Sequence, residues 1–385
     1  MGKAYLRLRR FCAWTVGIVF TISGILKLMD PVGTGLLMGE YFQFLHIGFM
    51  RRLGIAAGMF FSFLETFTGI ALVTGVWRKA AAVSASVLMA LFTLLTILLA
   101  AFDPPMDCGC FGEVLHLTHL QSLLKNIVLD LLLVFAFVPW REFGEPRRIK
   151  YGSFALISLS CLLFGIYSAL YIPLDDYTDY RPGAMLASSS KAQSSDGFSA
   201  RYIYEKNGAR RIISLEDELP DDSWTFVGVE EEIEEIIPSY PVLPVTDNGA
   251  VADSLAAQGD VIAVSAYSPR RLGKKKMEKI YGFMDMAESA GYRVLLLTLR
   301  PEAGSGGYGS DFRALVGLNR SNGGATLIRD GVIVKKWARR NLPDRDTLEE
   351  LLTQDPMETT ADSESRGKLL FQSFLLYSFA VLLLL

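Results

Sequence analysis

Two cysteines one residue apart, Cys108 and Cys110, sit in the stretch Asp107-Cys108-Gly109-Cys110-Phe111-Gly112-Glu113, and thiols that close invite redox chemistry. Sulfurs two positions apart meet only where the chain bends tightly, and Gly109 permits that bend. A bond closing so small a ring departs from relaxed disulfide geometry. A strained disulfide is more oxidising and passes its oxidation to another thiol pair. So small a ring would add little stability through chain entropy, because that gain grows with loop length. Asp103, Asp107 and Glu113 disfavour a thiolate here, while the positive N-terminal end of the following helix favours one. A redox pair, an inert turn and a metal site are the three readings of this loop.

The metal reading adds His116 and His119 to Cys108 and Cys110, and two thiolates with two imidazoles would suit zinc. Neither the cysteine spacing nor the histidine spacing is that of a zinc finger, so the signal is weak. His46 lies in another outer loop, and Cys12 and Cys161, inside apolar runs, read as small buried hydrophobes. Glu65 and Asp130 fall near the centres of two apolar runs. A charge there costs about 2.5–3.5 kcal/mol on insertion scales, so each must face the bundle interior or a cavity. Lys27 and Lys125 are available partners. The acids read either as structural pairs or as a proton path or quinone-site carboxylate beneath the outer thiols.

The elements that must carry these residues are membrane spans. A hydrocarbon core of roughly 30 Å needs about 20 mostly apolar helical residues. Six runs qualify: Phe11 to Met29, Leu53 to Val76, Ala80 to Phe102, Leu117 to Val138, Gly152 to Ile172 and the slightly short Leu369 to Leu385. The first is preceded by Lys3, Arg7, Arg9 and Arg10 but leaves through Lys27-Leu28-Met29-Asp30-Pro31, not through a small-residue cleavage site, so it reads as an uncleaved span. With Arg78, Lys79, Arg141, Arg147, Arg148 and Lys150 these basic residues fall on one side, which the positive-inside bias makes cytoplasmic; Arg51, Arg52, Arg366 and Lys368 are the minority opposite. Both termini are then cytoplasmic, and the loop from Asp103 to His116 and the segment from Pro173 to Gly367 lie outside, in a multi-pass protein of the inner (plasma) membrane.

Composition agrees. The chain has 385 residues, 51% of them hydrophobic, with a mean hydropathy of +0.30, which excludes a single water-soluble globule. A net charge of −3 supplies no basic surplus for nucleic acid. The expected fold is a membrane all-α four-helix bundle, with two further transmembrane helices bracketing an α/β extracytoplasmic domain. Its parts are residues 1–140 (bundle), 141–172 (cytoplasmic loop and fifth helix), 173–200 (linker), 201–366 (outer domain) and 367–385 (last helix).

The first half resembles the MauE (methylamine-utilisation) and DoxX-like membrane proteins. The resemblance is carried by Phe20-Thr21-Ile22-Ser23-Gly24-Ile25-Leu26-Lys27, then Asp30-Pro31-Val32-Gly33, Glu65, the Cys-Gly-Cys stretch, and Lys125-Asn126. It covers roughly the first 140 residues. It implies a four-helix membrane domain associated with thiol–disulfide traffic outside the cytoplasm, which in methylamine utilisation assists disulfide formation in a partner dehydrogenase. The bundle also looks like the vitamin K epoxide reductase architecture, whose cysteines two residues apart are absent, which counts against direct quinone reduction. Ser23-Gly24 and Gly69 would let helices approach closely.

Residues 173–199 are rich in Ser, Asp and Gly and read as the linker. Asn207-Gly208 suits a hairpin between Tyr202-Ile203-Tyr204 and Arg211-Ile212-Ile213, and the acidic run Glu230 to Glu235 reads as a solvated face. From Asp260 onward the pattern gives strand, helix (Leu272 to Ala290), strand (Tyr292 to Leu297), short helix (Asp311 to Leu318), hairpin about Arg329-Asp330-Gly331, and a helix that Asp344 can cap. This order resembles the thioredoxin fold. Where a thioredoxin carries its cysteines the chain reads Ala266-Tyr267-Ser268-Pro269-Arg270-Arg271, and where it carries a cis-proline, Ser321-Asn322-Gly323-Gly324. With no cysteine the domain cannot exchange disulfides alone, so it reads as a docking or positioning module; Arg270, Arg271, Lys274, Lys275 and Lys276 form a basic cluster beside it.

The expected function is a membrane accessory of extracytoplasmic thiol–disulfide chemistry. Cys108 and Cys110 are its pair, Glu65 and Lys27 its polar support, a quinone its candidate electron acceptor, and a client or redox partner protein and membrane lipid its partners. The alternative is a non-enzymatic scaffold or assembly factor whose Cys-Gly-Cys is a turn. Solute transport is disfavoured by the lack of paired broken helices.

Overall fold

In lipid every backbone polar group needs a partner within its own span, so long apolar runs fold as helices. A computed structural model describes residues 3–104, 106–115, 117–138, 146–186, 200–206, 209–213, 225–231, 255–300 and 307–384, the strands within 200–231 by backbone only. Among these, five helices are long and apolar enough to cross a membrane: Ala4–Met29, Gly48–Thr74, Arg78–Phe102, His119–Phe137 and Arg148–Leu170. They match the first five expected spans, and the chain is a multi-pass membrane protein.

We label the helices α1 (Lys3–Met29), α2 (Pro31–Phe44), α3 (Gly54–Thr74), α4 (Arg78–Phe102), α5 (His119–Phe137) and α6 (Arg148–Leu170). Helices α1, α3, α4 and α5 share one apolar core around Val16, Phe20, Ala85, Met89 and Leu133. α6 closes a second around Ile25, Leu28, Ile70 and Phe164. α1 packs closely on α3. A β-carbon at Gly24 would overlap the Thr66 hydroxyl, and one at Gly69 would lie 2.6 Å from the Gly17 carbonyl, so small residues set the spacing. Val83, Val87, Leu91 and Leu94 of α4 and Leu124, Leu131 and Val134 of α5 are exposed and apolar, as lipid-facing positions are. At one end Arg9 Nε donates to the Ala136 carbonyl at 2.9 Å; the cysteine loop and the α/β sheet domain occupy the other.

α2 is an element the sequence reading left as loop. Asp30 caps it, accepting from the Gly33 amide at 2.9 Å, and Pro31 supplies the preset φ of a first helical residue. β1 (Cys110–Glu113) follows α4, and a capping box between Thr118 and Gln121 starts α5.

Beyond the bundle, β2 (Ala200–Lys206), β3 (Ala209–Ile213) and β4 (Thr225–Glu231) form an antiparallel sheet of order β3-β2-β4. Its expected Asn207-Gly208 turn, most of the acidic run and residues 187–199 of the expected linker lie outside the described residues. The linker's first part packs on the domain: Leu186 is buried, and Met185 bridges to Val332. The larger sheet joins β5 (Asp260–Ala266), β6 (Arg293–Thr298), β7 (Tyr308–Gly309), β8 (Gly324–Arg329) and β9 (Val332–Trp337) in the order β7-β6-β5-β8-β9. β5 runs parallel to β6 and antiparallel to β8, with Val261 opposite Arg293 and Ile328. Alternation along β5 sends Ile262, Val264 and Ala266 to one core and Val261 and Ala263 to the other. The helices here are α7 (Pro269–Leu272), α8 (Lys274–Ser289), α9 (Phe312–Leu318), α10 (Arg345–Thr353) and α11 (Pro356–Leu384). Asp344 caps α10 as expected. α11 carries the last apolar run and lays Phe371 and Phe374 on Phe164 of α6.

Candidate functional site

The Cys-Gly-Cys turn is formed by Gly109 at φ +56°, a backbone state that side chains resist, with Gly112 at +64° closing the next turn. It brings the two sulfurs to 3.4 Å, both as free thiols. The surrounding elements hold the turn by its carbonyls. The Tyr41 hydroxyl of α2 donates to the Cys108 carbonyl, and the Ser23 hydroxyl of α1 donates to the Cys110 carbonyl at 2.6 Å. Leu37 of α2 lies on Gly109 so closely that a β-carbon there would overlap it. Cys108 is therefore buried, in a cluster with Tyr41, Leu99, Leu37 and Met106, while Cys110 is half-buried.

The electrostatics separate the two thiols. With the Cys108 thiol donating to the Cys110 sulfur, that hydrogen bond holds Cys110 well below the ordinary thiol range, and Lys125 and Lys27 reinforce it against the opposing effect of burial. The same hydrogen bond, with burial, pushes Cys108 well above that range. The nearby carboxylates emphasised by the sequence are outweighed by these lysines.

Lys27 and Glu65 meet as expected, Nζ to Oε2 at 2.6 Å, with little exposure of either. Lys27 also lies 5.1 Å from the centre of the Phe92 ring. Asp130 and Lys125 do not form the pair the sequence allowed. Asp130 accepts from the Thr93 hydroxyl at 2.7 Å, and Lys125 sits 4.9 Å over the Phe111 ring. His119 has both ring nitrogens occupied, Nδ1 by Asp103 and Nε2 by the Met106 carbonyl, each at 2.9 Å. It thereby ties the end of α4 to the start of α5. His116 lies outside the described residues, and among the described residues no His, Cys, Asp and Glu cluster suits a metal ion.

Sequence reasoning missed two contributors. One is Tyr41, whose helix was signalled only by Asp30-Pro31. The other is Arg320 of the α/β sheet domain, whose guanidinium reaches Asp30 at 2.6 Å and Glu113 at 3.1 Å. Burial works against its charge, and the two carboxylates more than offset that, raising its pKa. Nothing in the local sequence marks Arg320, because both partners are distant in the chain. Arg313 adds an exposed bond to Glu40 at 2.5 Å. Between the α/β sheet domain and the bundle lies a cleft of about 1860 Å³, lined by Arg51, Ile55, Met106, Asp107, Tyr267 and Phe312 among others.

Fold and site together define a class: a multi-pass membrane protein with a thiol pair in an interhelical loop and an α/β sheet domain docked on that loop. Within it, residues 6–139 match the family model of methylamine utilisation protein MauE, which spans α1 to α5 and the cysteine turn. Neither the curated proteins nor the solved structures give a match to the chain.

Proposed function

We propose that the chain is a membrane accessory that forms disulfides in a protein client outside the cytoplasm, with Cys108 and Cys110 as the working pair. The observation that carries this reading is the facing of the two sulfurs at 3.4 Å beyond the end of a span, with a thiolate favoured at Cys110. A pair whose reduced form is stabilised by a thiolate is oxidising as a disulfide. A client thiolate attacks the more accessible Cys110 sulfur of the oxidised pair. The Cys108–Cys110 bond breaks, a mixed disulfide forms, and Cys108 leaves and takes up a proton. The second client thiol, its proton lost to water, attacks the client sulfur of the mixed disulfide, and Cys110 leaves as a thiolate. The client has lost two electrons to the pair, which a two-electron acceptor of the quinone class then reoxidises.

The name of the matching family, methylamine utilisation, fits a protein partner of that metabolism. The positively charged end of the bundle supports a cytoplasmic N-terminus in an inner membrane, and the run from Leu369 to Leu385 then serves as a sixth span. The connectivity β5-α8-β6-α9-β8-β9-α10, with neighbours β6-β5-β8-β9, supports a thioredoxin-like reading of the outer domain, and the adjoining cleft supports its role in seating a client.

Trapping tests this. Cys108→Ser, which keeps the Cys110 nucleophile and removes its partner, should accumulate mixed disulfides with a protein partner, and Cys110→Ser should not. If neither variant captures a partner and differential alkylation finds the wild-type pair always reduced, the second reading stands. The burial of Cys108 under Tyr41 and Leu37 favours that reading, a scaffold whose Cys-Gly-Cys is a structural turn.

A further inference from the structure

We infer that Arg320 is a positioning residue for the thiol pair. Through one buried guanidinium the outer domain holds both the cap of the helix that roofs the sulfurs and the end of the strand that begins at Cys110. The catalytic meaning of this rests on the thiol–disulfide reading; the geometry does not.

Arg320 Nε donates to Asp30 Oδ2 at 2.9 Å, and one terminal nitrogen reaches the same oxygen at 2.6 Å and Glu113 Oε1 at 3.1 Å. The other Asp30 oxygen accepts from the Gly33 amide, so the carboxylate that meets Arg320 also caps α2, the helix of Leu37 and Tyr41. Asp30 also follows directly on α1, whose last turn carries Lys27. Glu113 ends the strand that Cys110 begins. A β-carbon at Gly33 would come within 2.9 Å of both Glu113 and Arg320, so the Asp-Pro-Val-Gly stretch leaves room for this cluster.

The loop bearing Arg320 is held just as firmly. Buried Asn319 donates to the Ala325 and Trp337 carbonyls at 3.0 and 3.2 Å and accepts from the Ser321 amide at 2.9 Å. Asn322 exchanges two hydrogen bonds with the Ser268 backbone, and the Tyr267 hydroxyl donates to the Arg320 carbonyl at 3.0 Å. Docking alone would not require this chemistry, since buried ion clusters are often no more stabilising than apolar contacts of the same volume. What the fork provides is direction: two carboxylates from separate elements are fixed against one planar group.

The test reads Cys110 in the full-length reduced chain in detergent, by site-resolved alkylation across pH. Cys110 is faced by Cys108 across the turn, Lys27 from α1 and Lys125 from α5; Tyr41, Asp107, Glu65 and Glu113 lie around these. In Arg320→Met the turn loosens as Asp30 and Glu113 lose the guanidinium that holds them together. The midpoint of Cys110 alkylation should rise by about one pH unit, roughly tenfold less thiolate below the midpoint, and Cys108 should alkylate faster as its roof lifts. Arg320→Lys, which keeps a charge but loses the fork, should shift the midpoint part of the way and serves if the methionine variant does not fold. Arg313→Ala should leave the profile in place. A folded Arg320 variant with the wild-type midpoint and the wild-type ratio of Cys108 to Cys110 labelling would overturn the inference. Because the protein is reduced throughout, a shifted profile beside a pair that never traps a client would remove the proposed function and keep the positioning role.

Discussion

The turn at residues 107–113 and the loops at 266–271 and 319–324 meet across Arg320, and they are opposite in kind. The turn has two sulfurs and little frame of its own. It is a bend at Gly109 leading into a four-residue strand, with Gly109 and Gly112 at positive φ, held by Tyr41, Ser23 and Leu37 from neighbouring helices. The sheet-domain loops have a frame of hydrogen bonds from buried Asn319 and half-buried Asn322 and no sulfur. Reactive groups and rigid support thus come from different parts of the chain. The cations beside Cys110, Lys27 and Lys125, belong to membrane helices, so the α/β sheet domain can act on the thiols without contributing a reactive atom. That division of labour can be broken from either side.

The largest effect is expected from the membrane side. Lys27→Met leaves Glu65 buried without its countercharge, and breaking a buried pair by removing one partner costs about 3–5 kcal/mol. Thermal unfolding in detergent should show this as a large loss of stability, and Lys27→Met combined with Glu65→Leu should recover most of it. A single variant that melts with the wild type would mean that the pair is solvated and that the bundle does not set the environment of the thiols.

Next comes the turn itself. Gly109→Ala places a side chain at φ +56° and into Leu37; a residue held in so sparsely populated a region costs on the order of 1–3 kcal/mol. The variant should melt lower and expose Cys108 to alkylation. If Cys108 stays protected, the roof from α2 does not depend on the turn's shape.

The two thiols should also separate by pH. A thiol whose pKa lies below its ordinary value keeps its thiolate as pH falls from that value, and loses it only through the lowered one. Cys110 should therefore alkylate at nearly constant rate from pH 9 to pH 7, while Cys108, shifted the other way, falls off over the same range. At pH 7 we expect at least about tenfold faster labelling of Cys110, the ratio that one pKa unit of separation gives. Equal rates would show that the hydrogen bond between the sulfurs does not polarise them.

What the sequence told of this arrangement follows from how local each signal is. Five spans were legible because lipid enforces long apolar runs, and the Cys-Gly-Cys turn because its glycine and its spacing are contiguous. Lys27 with Glu65 was legible because a charge in a span has few partners. α2 was signalled only by Asp30-Pro31, since its residues mix Gly, Leu and Tyr without a polar face. Asp130 bonds Thr93 and not Lys125, because the two lie five residues apart on one helix and neighbours on a helix face are three or four apart. Arg320 was illegible for a plainer reason: one arginine in a loop says nothing until the fold brings Asp30 and Glu113 to it.

The smallest effect sharpens the comparison most. Arg313 and Arg320 both join the α/β sheet domain to the bundle, and both pair with carboxylates within 3.1 Å. Arg313 is 72% exposed, whereas Arg320 is 6% exposed and forked between two elements. An exposed pair is worth about 0–1 kcal/mol and is screened by salt. Arg313→Ala should then change the melting temperature by a degree or two at most and leave thiol labelling as it is, with even that difference vanishing in high salt. If Arg313→Ala instead matched Arg320→Met in its effect on Cys110, any loosening of the domain would disturb the sulfurs equally. The support would then come from docking as a whole and not from the carboxylates that one guanidinium holds.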